Sequence, residues 1–166
     1  MTLFQPGEIV ADGPVRLQAA ALEDLAALPW LTAALAPDWT VNDLTRAVEA
    51  GRGVAVRDAE GVLIGLMVAL LDRPHPSEAS VPFIAIDPAR RYRGLGGSAG
   101  LALERLLRVR FGVEAVYASI PDGRGLAVYF WLRLGYRPLT RSEAPWPLEG
   151  LSEQPRPGIW MAREGA

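Results

Sequence analysis

The stretch Ile84-Ala-Ile-Asp-Pro-Ala-Arg-Arg-Tyr-Arg-Gly-Leu-Gly-Gly97 restricts this chain more than any other part of its 166 residues. An apolar strand entering it must stop near Pro88, which has no N–H to give a ladder. Arg90, Arg91 and Arg93 follow, then Gly94, Gly96 and Gly97. From Leu95 to Arg110 apolar residues recur at helical spacing (Ala99, Leu103, Leu106, Leu107), opposite Glu104, Arg105 and Arg108. A glycine-rich turn opening a helix offers outward backbone N–H groups with few Cβ atoms in the way, and the helix dipole favours an anion there. The arginines add charge-assisted attraction. Together these features describe a pyrophosphate cradle.

The remaining segments supply a mixed α/β chain. Val15–Ala19 reads as a first strand, and Ala21–Ala34 as a helix that Pro29 kinks or divides. Thr40 is a good N-cap for Val41–Ala50, with Gly51 as its stop. Gly53–Arg57 and Val62–Leu71 flank a turn and form a hairpin, and Val81–Ile86 is the strand that enters the cradle. Val113–Ile120, Gly135–Leu139 and Ile159–Arg163 are later strands, with a helix over Leu126–Leu134. The expectation is one domain over residues 1–166, an α/β (α+β) fold with an antiparallel front half and helix-connected strands behind.

Composition removes several classes. There is no cysteine, so disulfides, thiolate nucleophiles and Cys-ligated metals are excluded together. All 17 basic residues are arginine, which leaves no lysine amine for Schiff-base or P-loop chemistry. A net charge of −2 gives no global field for nucleic acid. The N-terminus has neither the basic start nor the apolar run of a signal peptide, and no apolar run reaches the roughly 20 residues of a membrane span. The expected setting is cytoplasmic, with neither membrane nor metal involved.

Arg91-Tyr92-Arg93-Gly94-Leu95-Gly96, with the lead-in Ile86-Asp87-Pro88-Ala89-Arg90, resembles the phosphate-binding signature of the GNAT superfamily of acyl-CoA-dependent N-acyltransferases. Ala127, Gly135 and Tyr136 fit the second motif of that family, and Val15–Leu25 looks like its first strand and helix start. The resemblance implies a central mixed, largely antiparallel sheet of about seven strands with helices on both faces. It implies acetyl-CoA as acyl donor, held through Ile84, Ala85, Ile86, Arg91, Tyr92, Arg93, Gly94, Leu95, Gly96 and Gly97. The acceptor would be a small-molecule or peptide amine that attacks the thioester directly; a homodimer is a separate expectation.

In the family the acid that protonates the departing thiolate is commonly a Tyr four residues after the Ala of the second motif. Trp131 stands there, Tyr129 falls about 200° around the helix, and Arg124 replaces a frequent Asn. Some members carry a basic Glu where this chain has Ser80. Glu78 lies two residues earlier, on the same strand face if the strand extends so far, so a water relay through Ser80 to Glu78 is the candidate catalytic route. His75 sits between prolines in a loop. The acceptor side falls on Ala21–Ala50 and Arg141–Gly158, where Glu143, Glu149, Glu153 and Trp146 could receive a cationic amine.

Two other readings stay open. A chain of this kind could bind acyl-CoA without turnover, given Trp131 and Arg124. Gly94-Leu-Gly-Gly-Ser-Ala-Gly100 also imitates a dinucleotide-binding G-x-G-x-x-x-G, which would make the chain a Rossmann-type NAD(P) oxidoreductase with Asp122 as the acidic residue. The basic turn and the several strands ahead of it fit that reading poorly.

Overall fold

The computed structural model describes residues 2–35, 39–91, 93–121, 124–140, 142–144 and 158–165. These form two compact units, Met1–Ala69 with Phe83–Leu103, and Leu70–Pro82 with Glu104–Ala166. The elements run β1 (Ile9–Asp12), β2 (Val15–Ala19), α1 (Leu22–Ala26), α2 (Leu31–Leu35), α3 (Val41–Glu49), β3 (Gly53–Asp58), β4 (Leu63–Leu71) and β5 (Glu78–Ile86). A short 3-10 turn, Pro88–Arg90, leads to α4 (Leu95–Phe111), β6 (Ala115–Pro121), α5 (Gly125–Arg133), β7 (Arg137–Pro138) and β8 (Gly158–Glu164).

In the first unit β1, β2, β3 and β4 pair antiparallel in chain order. The front hairpin turns at Asp58, whose carboxylate oxygen Oδ1 accepts the N–H groups of Glu60 (3.1 Å) and Val62 (2.8 Å). Seven successive residues of β4, Ile64–Leu70, are buried, as befits a strand covered on both faces. Pro29 does divide the first helical segment, into α1 and α2. Thr40 and Asp43 make a reciprocal capping box at the start of α3.

In the second unit the first residues of β5 run parallel to β6, from Glu78 opposite Ala115 to Val81 opposite Ala118. β6 and β7 both pair antiparallel to β8. The hydrogen-bonded order of the eight strands is β1-β2-β3-β4-β5-β6-β8-β7. Apart from the parallel β5–β6 pair, the registers given above are antiparallel. This is the mixed, largely antiparallel sheet expected, with one strand more. The extra strand is β1, whose short, half-exposed sequence Ile-Val-Ala-Asp carries no alternation strong enough to announce itself.

One polar residue was placed on the wrong side of its helix by periodicity. Glu104 is buried rather than facing solvent with Arg105 and Arg108. It accepts from Arg108 Nε (2.9 Å), Tyr136 Oη (3.2 Å) and Arg163 Nη1 (3.4 Å), which makes its burial tolerable. Among the described residues no helix is long and apolar enough to cross a membrane.

Candidate active site

The cradle begins on β5. Asp87 N–H donates to Ile64 O on β4 (2.8 Å), and Ala85 O lies close against Gly65 of the same strand. Backbone groups of a strand alternate in direction, so those of Ile84 and Ile86 point to the opposite edge. The parallel ladder to β6 ends at Val81, and the next residue, Pro82, has no N–H to extend it. The amides and carbonyls of Ile84 and Ile86 therefore have no strand partner among the described residues. This is the backbone availability a pantetheine arm needs for sheet-like hydrogen bonds.

Asp87 then accepts Ala89 N–H through its side chain (2.9 Å), and Arg90 N–H bonds Asp87 O (2.8 Å), which together wind the 3-10 turn. Gly94 has φ +74°, a conformation L residues adopt at a cost, with open space around its missing Cβ. It serves as the N-cap, because Ser98 N–H bonds Gly94 O (3.0 Å) and α4 starts at Leu95. The N–H groups of Leu95, Gly96 and Gly97 are consequently the orphan donors of a 17-residue helix with no acidic residue in its first turn. Arg91 and Arg93 are exposed, and their guanidinium groups bind no described residue. Arg90 differs, because its Nη1 donates to Asp58 Oδ2 at 2.6 Å. Tyr92 lies outside the described residues.

The catalytic candidates sit in the second unit. β5 does extend to Glu78, so Glu78 and Ser80 share a strand face. The structure does not join them by a hydrogen bond. Glu78 Oε1 instead accepts Tyr117 Oη (3.0 Å), and Oε2 accepts His75 N–H (3.2 Å). Tyr117 stands opposite Ser80 in the parallel register. Ser80 Oγ is buried and finds no hydrogen-bond partner among the described residues. The Tyr117 hydroxyl is pushed up to about 12, first by burial, then by its bond to Glu78 and the charge of that carboxylate; Glu164 adds and Arg137 opposes. It stays a donor over the whole physiological range. Sequence reasoning missed Tyr117, since only the β5–β6 register, a non-local fact, brings it to Glu78.

Trp131 is core. It is buried edge-on against Tyr136 (centroids 4.7 Å apart) and Phe130 (5.2 Å). Tyr129 is exposed and carries Arg133 over its ring, as the angular argument required. The Tyr136 hydroxyl is committed to Glu104, and burial raises its pKa far above the ordinary tyrosine value. Glu143 is tied to Thr140 through both the backbone N–H (2.9 Å) and the hydroxyl (2.8 Å), and to Arg137 (3.2 Å). Trp146, Glu149 and Glu153 lie outside the described residues, as does Asp122. Among the described residues no three acidic or histidine side chains group as metal ligands would.

Comparison with known proteins bears on the fold. No family model matches the sequence, and neither does any curated protein. Solved structures do match. An acetyltransferase from Agrobacterium tumefaciens superposes with a TM-score of 0.73 over 99% of this chain and 99% of its own, at 12% identity. A GNAT-family acetyltransferase from Bacillus anthracis gives 0.70 over 95% and 98%, also at 12% identity. A Bacillus subtilis acetyltransferase, solved in complex with CoA, gives 0.64 over 96% and 100%, at 17% identity. The chain has the GNAT fold. Its antiparallel β1–β4 run is not the βαβ arrangement of a Rossmann domain, and the dinucleotide reading falls with it.

Proposed function

We propose that this chain is an acyl-CoA-dependent N-acyltransferase that moves an acetyl group from acetyl-CoA to a primary amine by direct attack. The observation that carries the reading is one continuous path. Among the described residues, the backbone edge at Ile84 and Ile86 has no strand partner, and beyond a braced turn the amides of Leu95, Gly96 and Gly97 and the guanidinium groups of Arg91 and Arg93 have no partner either. Ile84, Ala85 and Ile86 would hold the pantetheine, and Arg91, Arg93 and the Gly94–Gly97 amides the pyrophosphate, which a helix start is built to receive. Likeness to the CoA-bound Bacillus subtilis enzyme supports this.

In the reaction the amine nitrogen bonds to the acetyl carbon, the C–S bond breaks, and the proton lost from nitrogen goes to a general base, the role for which Glu78 is the candidate. Tyr117 and the His75 amide hold that carboxylate in one orientation. Ser80, buried and without a hydrogen-bond partner among the described residues, is the other polar side chain on the same strand face. The thiolate leaves without a dedicated tyrosine acid. The burial of Trp131 favours a second reading, an acyl-CoA-binding domain without turnover.

The experiment has two stages. Acetyl-CoA should raise the melting temperature, as any ligand specific to the native state does. Thiol release is then followed over a panel of primary amines: spermidine, an aminoglycoside, free amino acids and an N-terminal peptide. No melting shift with acetyl-CoA refutes both readings. A shift with no thiol release on any amine refutes the enzyme and leaves the binding domain.

A further inference from the structure

Three arginines crowd the phosphate turn, and they are not equivalent. Arg91 and Arg93 are exposed and bind no described residue, whereas Arg90 is half-buried and donates to Asp58 on the β3–β4 hairpin. Asp58 is nearly inaccessible and divides its two oxygens between two tasks. Oδ1 takes the N–H groups of Glu60 and Val62, closing the hairpin turn, and Oδ2 takes Arg90, its one partner among the described residues. Burial by itself would raise the pKa of this carboxyl. The Val62 amide, Arg90 and the Glu60 amide outweigh burial and hold it below the ordinary aspartate value, so it is charged at neutral pH.

The 3-10 turn is therefore anchored twice. Asp87 N–H fixes its entry to β4, and the Arg90 guanidinium fixes its exit to the hairpin. One residue later the chain begins the segment that presents Arg91, Arg93 and the α4 amides. A charge-assisted bond at 2.6 Å between a buried carboxylate and a fixed fork is directional, and it sets where the exit of the turn lies.

From this geometry we infer that Asp58 is a positioning residue for coenzyme binding: acting through Arg90, it holds the pyrophosphate turn in its receptive shape, and Arg90 is a strut rather than a phosphate ligand. The inference rests on the coenzyme reading above. It assigns a binding role to a residue about thirty positions upstream of the signature, on a different hairpin.

Asp58→Asn tests it selectively. Asparagine keeps an acceptor oxygen for the Glu60 and Val62 amides but replaces Oδ2 by an NH2 group that cannot accept from Arg90. Coenzyme A affinity is measured by titration calorimetry on the wild type, D58N, R90Q and the double variant, each shown to be folded by circular dichroism. The wild type is measured first. If it does not bind coenzyme A, the coenzyme reading fails, and the inference with it.

If the wild type binds, D58N and R90Q should each weaken coenzyme A by about tenfold or more, the worth of one charge-assisted bond to phosphate. The double variant should be no worse than either single one, because both act through a single link. Charge repulsion alone predicts the reverse for D58N, since removing a carboxylate and releasing Arg90 would tighten binding. Unchanged or tighter binding in D58N, or additive losses in the double variant, overturns the inference while leaving the coenzyme reading intact. A purely structural role would lower the melting temperature of D58N without changing the affinity of its folded form, and that result overturns it too.

Discussion

Gly65 offers the sharpest test of how the cradle strand is held. A Cβ built on it would lie 2.6 Å from Ala85 O and 2.5 Å from Ile86 Cδ1, with Ile86 Cα at 3.4 Å. The Ile86 methyl ends a flexible side chain and can swing away, but the Ala85 carbonyl belongs to the backbone. Ordinary Cβ contacts begin at 3.4 Å, so relieving this one moves β5 away from β4 by several tenths of an ångström, up to 0.8 Å. Overpacking of that size costs about 1–3 kcal/mol. For a chain of this length each kcal/mol lowers the melting temperature by roughly 2–4 °C, so Gly65→Ala should melt about 2–12 °C lower. The displacement falls on Ala85 and Ile86, so coenzyme A affinity should drop beyond what stability alone explains. Scanning calorimetry and coenzyme titration on the same preparation measure both effects. A Gly65→Ala protein with unchanged melting temperature and affinity would show that the close approach of β4 and β5 at Gly65 does not hold the strand.

Gly94→Val should cost roughly 1–2 kcal/mol for the positive φ alone, seen as a lower melting temperature, and should abolish coenzyme A binding by calorimetry. Trp131→Ala should destabilise by about 3–5 kcal/mol in urea unfolding, because the indole is core; placing Tyr at 131 should not raise turnover. Tyr117 keeps its proton in the native state up to about 12, while the unfolded side chain loses it near 10.0. Its contribution to stability is thus complete below pH 10 and fades between pH 10 and 12; Tyr117→Phe should flatten that part of the stability–pH curve, followed by urea melts. Glu104→Ala leaves Arg108 and Arg163 without their shared carboxylate and should cost about 3–5 kcal/mol in the same assay.

The sequence made most of the fold legible where the signals were local. Thr40 with Asp43, Pro29, Gly51 and Gly135 punctuate helices by short-range rules, and each acts in the structure as those rules require. The strand, the turn and the helix start between Ile84 and Gly97 were legible for the same reason, since they are consecutive. Three features were not. Glu104 obeys polar periodicity on its own helix, yet it is buried by partners at Tyr136 and Arg163, far along the chain. Tyr117 meets Glu78 only through a parallel register, which no pattern on either strand specifies. Asp58 reads as a hairpin turn residue, and its second oxygen, the one that reaches Arg90, leaves no trace in local spacing.

Pro82 has a consequence that isotope labelling would expose. Because the ladder to β6 ends just before it, the peptide groups of Ile84 and Ile86 are held in an extended strand with no strand partner among the described residues, while Asp87 N–H is bonded to β4. Neighbouring amides on one short strand should therefore differ widely in deuterium uptake, with Ile84 and Ile86 fast and Ala85 and Asp87 slow. On the coenzyme reading proposed above, an arm entering that edge would break no bond to a described residue, and its docking would need no opening event. One proline ends the ladder early, and the exchange rates of its neighbours are where that would be seen.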